Sequence, residues 1–412
     1  MNAPDSLHAA PTARQDARPR ASAVHVGIAG AGVLGRLLAW QLAHRGCRVE
    51  VFDPATGPQP AHDGRGAAGF TAAGMLSPLA EFESGGIEVA VLGLRSIESW
   101  RGITAALAGR TDAAGGTCAS AAAAAATDSP STDSASTISG AADPAAADEP
   151  EPLFCQRGSL MVAHPGDLGA AQRVLARLEQ APALHAGMPA PQPLDRAALS
   201  ALEPAVAPGM HAWLLPGEAQ VLPAPLLAAL AHDAPGVHWH WRQRARSVSP
   251  GCIETMDGAR HRFDLAIDVR GLGARPELPV RGVRGEVIWL HAPGVPLARP
   301  LRLLHPRHRV YLVPRPGDLV VVGASEIESE DRSPVSLRTA LELMAAAHSA
   351  VPELAEARIV HLETNLRPAL PDNQPLTQHE PGLARINGLF RHGWLLAPAL
   401  VEDLIASCLP VH

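Results

Sequence analysis

The chain contains no lysine; all 34 of its basic side chains are arginine. A Schiff-base or other lysine-dependent mechanism is therefore excluded. Tyrosine occurs once, at Tyr311, and aromatic residues fill only 3% of the 412 positions, so a phenol can be supplied from one place alone. The five cysteines, Cys47, Cys118, Cys155, Cys252 and Cys408, are scattered and form no CxxC pair. Neither a disulfide framework nor a zinc site follows from that spacing, and a reducing cytoplasm suits it best. The nineteen histidines include no HExxH, and pairs such as His238/His240 and His305/His308 lack a third ligand at metal spacing. A metal centre is not expected, and the absence of GxSxG removes the serine-nucleophile elbow. No apolar run reaches the length of a membrane span, and residues 1–21 lack the apolar segment of a signal peptide. A formal net charge of -7 leaves no basic surplus for nucleic acid. These absences point to a cytoplasmic protein with no membrane or nucleic-acid partner, preceded by a disordered leader over 1–21.

What is present is an apolar share of 47%, enough for a sizeable core and for two or three domains. A short apolar strand over 24–29 runs into a glycine-rich turn. Residues 33–44 then carry Leu34, Leu37, Leu38 and Leu42 at helical spacing, and 48–53 read as a second strand. Between 111 and 150 periodicity is lost to Ala, Ser, Thr, Asp and Pro, including the run 121–126; this reads as a disordered insertion. Beyond it the pattern predicts a strand pair over 153–163, helices over 168–178 and 225–232, and a strand over 237–241. A hairpin over 247–263 turning at Asp257-Gly258 follows, then a buried strand over 265–269. Strands over 285–290, 310–313 and 319–322, a helix over 336–349, strands over 358–362 and 384–387, and a helix over 397–408 complete the chain. Helix-linked strands early and late, with a strand-rich middle, imply an α/β dinucleotide domain assembled from separated pieces around an inserted antiparallel sheet.

Gly30-Ala31-Gly32-Val33-Leu34-Gly35 is a GxGxxG motif placed directly after a strand and at a helix start. Gly30 permits the tight turn, Gly32 lets backbone approach a pyrophosphate at the positive helix end, and Gly35 allows close helix–strand packing. Asp53 follows about 20 residues later at the end of the second strand, where a carboxylate meets a ribose hydroxyl and disfavours a 2′-phosphate. The motif alone does not separate FAD from NAD. Two further clusters stand out. Residues 70–78, with small Ala72, Ala73 and Gly74, either bring backbone amides close to a flat ligand or form a tight loop under a helix. Residues 387–398 pass from a strand through Gly388 and Gly393 into a helix start, which either faces a ligand that gains negative charge or is an ordinary connection.

In order, GAGVLG, TAAGMLSP, RGLGA, YLVPRPGDLVVVGASE, NLRPALPD and RHGWLLAP resemble the glycine oxidases of thiamine biosynthesis, within the D-amino-acid oxidase family of flavoproteins. The likeness runs from Val24 onward apart from the insertion. It implies a Rossmann-like FAD-binding domain (22–95, 215–278 and 361–412) with an inserted antiparallel-sheet substrate domain (96–214 and 279–360). It implies that Val33, Leu34, Asp53 and Pro54 meet the adenosine diphosphate part of FAD, joined by Ala245 at the adenine and by Gly271 and Gly273 of RGLGA. Ala73, Gly74 and Met75 would line the flavin, and Leu389, Phe390, Arg391, His392, Gly393, Trp394 and Leu395 would hold its ring. Leu389 and His392 depart from the Gly-His-aromatic-Arg-Asn-Gly found in many relatives. Arg367 matches the family arginine that grips the substrate carboxylate, Tyr311 the tyrosine whose hydroxyl reaches it, and Arg391 a further substrate-contacting arginine. Glu326 falls near the pocket, with solvent the plainer destination for its side chain.

The activity so implied is oxidation of glycine with oxygen and water to glyoxylate or its imine, ammonia and hydrogen peroxide, the imine feeding thiazole formation. Self-association and contact with thiazole-forming proteins would accompany it. The alternatives are a D-amino-acid or sarcosine oxidase or dehydrogenase of the same family and, in a different class, a flavin-binding partner protein without turnover.

Overall fold

The structure, a computed structural model, describes residues 23–60, 64–114, 152–305 and 309–409. The expected leader and residues 115–150 of the expected insertion lie outside the described residues, as does His308. Strand β1 (His25–Ala29), helix α1 (Val33–His44) and strand β2 (Arg48–Asp53) form the β-α-β unit. β1 pairs in parallel with β2 on one side and with Leu265–Asp268 on the other. Val26 and Ile28 are accordingly fully buried, as the middle of a sheet covered on both faces requires. The sheet has six strands in the order Leu376–Glu380, Leu383–Asn387, Leu265–Asp268, β1, β2, His238–Trp241. Leu37, Leu38 and Leu42 of α1 pack on it in one apolar cluster.

Helix α2 (Pro78–Ala114) follows, broken at Gly86, where φ is 80° and ψ -179°. Four long strands, β3 (Arg281–His291), β4 (Arg309–Arg315), β5 (Leu319–Gly323) and β6 (Arg358–Ala369), form half of an eight-stranded sheet in the order β6-β3-β5-β4. Leu301–Leu304, Ser159–Ala163, His211–Leu215 and Gln192–Leu194 continue it. Its pairs are antiparallel except Leu301–Leu304 with Ser159–Ala163, which run parallel. Side chains alternate across this sheet with period two. Ile288, Leu290, Val310, Leu312, Val320 and Val322 pack beneath helix Leu337–Ala350. Val287, Tyr311, Val313 and Val321 form a second small cluster that includes Ala73 and Met75, on the face turned to the first domain. Helix α3 (Gly393–Cys408) closes the described chain and packs on α2, with the Trp100 and Trp394 rings 5.4 Å apart.

The elements differ from the expectations in several places. Residues 153–163 hold two strands, Phe154–Cys155 and Ser159–Ala163, in different sheets rather than one pair. The hairpin expected over 247–263 is a three-stranded meander, Ala245–Ser249, Cys252–Thr255 and Arg260–Arg262. β6 extends to Ala369, through Pro368. It lies at the sheet edge with β3 as its one neighbouring strand, where a missing proline N–H is tolerated. α3 begins at Gly393, four residues before the expected start, and keeps Pro398 inside. That proline leaves the Trp394 carbonyl without its helical donor, and the Trp100 Nε1–H donates to it at 2.8 Å. The expected boundaries at 95/96 and 360/361 fall within α2 and β6, elements whose hydrogen bonding runs on past those points, and residues 111–114 end α2 rather than starting the insertion. Among the described residues no helix is long and apolar enough to cross a membrane.

Candidate functional site

A cavity of about 1420 Å³ runs between the two sheets. At one end the β1–α1 turn is set by close backbone approach. Gly30 has φ +106°, and a side chain there would meet the Val269 carbonyl at 2.6 Å. A Cβ at Gly35 would lie 1.8 Å from the Gly30 carbonyl oxygen, so any larger residue would push α1 off the strand. Gly35 therefore acts from behind: of the six fingerprint residues it alone does not line the cavity. Gly32 caps α1 with no side-chain acceptor, which leaves the amides of the first turn facing the space that Gly32, Val33 and Leu34 line. The Asp53 carboxylate accepts from the Ala31 amide at 2.6 Å and from the Ala55 amide at 2.8 Å. Each oxygen keeps a further lone pair for an incoming hydroxyl. Pro54, Ala245, Gly271 and Gly273 line the same end.

Arg36, unremarked in the sequence, is buried against this turn. Its guanidinium donates to the carbonyls of Ala31 (2.9 Å), Leu227 (2.9 Å) and Pro58 (2.7 Å). Burial pulls it down to about 10, against the opposing field of Asp53. It ties three segments of the nucleotide end together.

The middle of the cavity lies between Ala73-Gly74-Met75 and the run Leu389, Phe390, Arg391, His392, Gly393, Trp394 and Leu395, all of which line it. Buried Arg315 donates to the Ala73 carbonyl and to Gln220 Oε1 (3.0 Å), fixing the first segment. The second is fixed by the Phe390 amide donating to the Pro368 carbonyl at 2.9 Å, with Phe390 at φ 50°. Its end is the first turn of α3, so a second helix N-terminus faces the cavity.

The far end is built on the eight-stranded sheet. Tyr311 pairs with Gly323 across β4 and β5, and Val283 pairs with Arg367 across β3 and β6. Two glycines seat these side chains. A Cβ at Gly323 would lie 2.7 Å from the Tyr311 hydroxyl oxygen, and one at Gly285 would lie 2.6 Å from Arg367 Cζ. Arg367 Nη1 donates to the Ser325 carbonyl at 3.0 Å, and among the described residues no carboxylate forms an ion pair with it. Burial lowers its guanidinium from the ordinary value, opposed by Tyr311 and Glu326; arginine nevertheless keeps its charge. Burial pushes the Tyr311 hydroxyl up, against the pull of Arg367, Arg302, Arg315 and Arg391.

Arg391 stands differently from Arg367. Its Nε and Nη2 donate to Glu81 Oε2 at 3.0 and 2.8 Å, and its Nη1 lies 3.5 Å from Glu326 Oε2. It lines the cavity as a paired cation. Glu326 is half exposed, in keeping with the expected solvent-facing side chain, and it also lines the cavity and meets Arg391. Glu81, missed in the sequence, also has His392 Nε2 at 3.0 Å from Oε2 and Arg302 Nη2 at 3.3 Å from Oε1. Burial favours its neutral form, but Arg391, His392 and Arg302 together hold its carboxyl well below the usual carboxylate range. Arg302 was missed too, although it lies directly across from Tyr311 in the sheet. The only hint of Glu81 was its position three residues beyond TAAGMLSP.

The family model described as FAD dependent oxidoreductase (DAO) matches residues 25–406. A Rhizobium etli protein bearing the name thiamine biosynthesis oxidoreductase ThiO is 34% identical over 379 residues, 92% of this chain and 94% of that one. The glycine oxidase of Geobacillus kaustophilus is 29% identical over 212 residues, 47% of this chain and 55% of its own. The crystal structure of glycine oxidase from that organism shares the fold, with a TM-score of 0.71 at 24% identity, covering 93% of this chain and 95% of that one. With a nucleotide cradle at one end of the cavity and, at the other, a partly buried guanidinium that no carboxylate pairs among the described residues, the chain belongs to the D-amino-acid oxidase family of FAD-dependent oxidoreductases.

Proposed function

We propose that this enzyme oxidises the C–N bond of glycine, with oxygen as electron acceptor, and that the product supplies thiazole formation in thiamine biosynthesis. The observation that carries this reading is Arg367: a partly buried guanidinium on the cavity wall, beside the only tyrosine, with no carboxylate among the described residues as its ion-pair partner. A small molecule with one carboxylate is the natural complement.

The cavity suits FAD on the chain's own features. The uncapped first turn of α1 can take the pyrophosphate, the free lone pairs of Asp53 a ribose hydroxyl, and the space between Ala73–Met75 and Leu389–Leu395 the flat ring. FAD supplies, when bound, the two-electron acceptor for the hydride equivalent that leaves Cα. The protein's task is orientation. Arg367 presents a planar fork to the carboxylate, the Tyr311 hydroxyl donates to the same group, and together they hold Cα toward the ring. The N-terminus of α3 favours negative charge that accumulates beside it. In balance, glycine, oxygen and water give glyoxylate, ammonia and hydrogen peroxide, through an imine that water hydrolyses once released. The names of the Rhizobium and Geobacillus relatives support the thiamine link and glycine, respectively.

A peroxide assay across glycine, sarcosine and D-alanine tests the reading. Glycine should show the highest kcat/KM. Peroxide from D-alanine without peroxide from glycine would overturn it.

A further inference from the structure

We propose that Glu81 and Glu326 are specificity-determining residues that restrict the substrate to a single acid group, by occupying the cations that would otherwise receive a second one. The proposal rests on the reading that Arg367 takes the substrate carboxylate.

The wall of the substrate end carries three arginines near Tyr311, namely Arg302, Arg367 and Arg391. Two are already engaged. Glu81 sits between Arg391 and Arg302, with contacts of 2.8 and 3.3 Å, and Glu326 lies 3.5 Å from the remaining nitrogen of Arg391. Arg309 and Glu83, also on the wall, pair with one another at 3.3 Å. Among the described residues the lining charges at this end therefore leave one positive charge in excess, and it resides on Arg367. One substrate carboxylate neutralises it. A second acid group would enter a space with no further unpaired lining cation among the described residues, facing Glu326 and Glu81, and an uncompensated buried charge is heavily penalised. Discrimination thus comes from a repulsive element as much as from the attractive one. The two carboxylates differ in reach. Glu81 is buried and locks the side chains of Arg391 and His392, whereas Glu326 is half exposed and makes one long contact. Removing the Glu326 charge should therefore relax selection while the wall stays in place.

The test uses the flavin-loaded enzyme and the change in its visible spectrum on titration with acetate and with malonate, one acid group against two. Wild type should bind acetate more tightly than malonate by at least about tenfold. Glu326→Gln should shrink that ratio to within about threefold, chiefly through tighter malonate, and Glu326→Asp should restore it. Glu81→Gln should shift the ratio the same way, provided it retains flavin; Glu326→Gln decides the matter if it does not. A ratio that stays at its wild-type value in Glu326→Gln overturns the proposal, because a merely structural glutamate would alter both ligands alike. Binding without turnover keeps the two readings apart: failure of glycine to reduce the flavin would overturn the glycine reading, while the acetate-to-malonate ratio judges the carboxylates.

Discussion

At the nucleotide end of the cavity, Gly30, Gly32, Gly35 and Asp53 come from one continuous β-α-β unit and act mainly through backbone. At the substrate end, Glu81, Arg302, Tyr311, Arg367 and Arg391 come from a helix, three strands and a loop far apart in the chain, and act through charged side chains. The first end is specified by what must be missing, since a Cβ at Gly35 would strike a carbonyl 1.8 Å away. The second is specified by charge pairing, with carboxylates, among the described residues, on every arginine of the inner wall except Arg367. The two ends should therefore fail differently. Steric change at the nucleotide end should cost fold and cofactor together, and charge change at the substrate end should alter catalysis while the yellow protein persists.

The largest effect expected at the substrate end is that of Arg367→Ala. Losing the partner of a desolvated carboxylate costs about 3–5 kcal/mol, so kcat/KM for glycine should fall by about a hundredfold or more, with flavin content kept. Arg367→Lys should recover only part of the loss, because an ammonium lacks the planar fork. Loss of flavin in parallel with activity would erase the distinction between the ends.

Gly35→Ala probes the opposite end. Overpacking against the Gly30 carbonyl should destabilise the protein by about 3 kcal/mol and weaken flavin retention, read as a lower Tm and less absorbance at the flavin band. A variant with wild-type Tm and colour would show that α1 can shift away without consequence.

Tyr311→Phe should be milder, raising KM for glycine about tenfold through loss of one hydrogen bond to a charged group. Because burial raises the Tyr311 hydroxyl above its ordinary value, the phenol stays neutral and able to donate throughout the neutral and mildly alkaline range. The ratio of the two KM values should accordingly be constant up to about pH 10. A ratio that collapses well below that pH contradicts the assignment.

Glu81→Gln tests the pairing through stability. Its folded-state pKa is shifted downward, so its contribution is fully present above the unfolded value of about 4.5 and is lost as pH falls through the folded value. Wild-type Tm should drop as the medium is acidified below that point, and Glu81→Gln should show a shallower drop. Parallel curves would mean that the carboxylate adds nothing to the fold.

The same contrast explains what could be read from the sequence. The β1-α1-β2 unit was legible because its signals are local: a short apolar strand, leucines at helical spacing and glycines where backbone crowds. Tyr311 and Arg367 were found through motif resemblance, and the alternation of β4 and β6 then sets both on the cavity face. Glu81 stayed hidden because a lone glutamate has no local signature, and its partners Arg302, Arg391 and His392 lie more than 200 positions away. The helix that carries it was missed as well, since Gly85 and Gly86 interrupt the apolar spacing at its kink. Pro398 disguised the start of α3 for a related reason: the indole that compensates for it comes from Trp100, on a different helix.

Anaerobic titration of the flavin-loaded protein with glycine, followed in the visible spectrum, tests the role of Arg367 most directly. Wild type should bleach at low glycine concentration, and Arg367→Ala should stay yellow until the concentration is raised by about two orders of magnitude. Bleaching of both proteins over the same range would contradict the account.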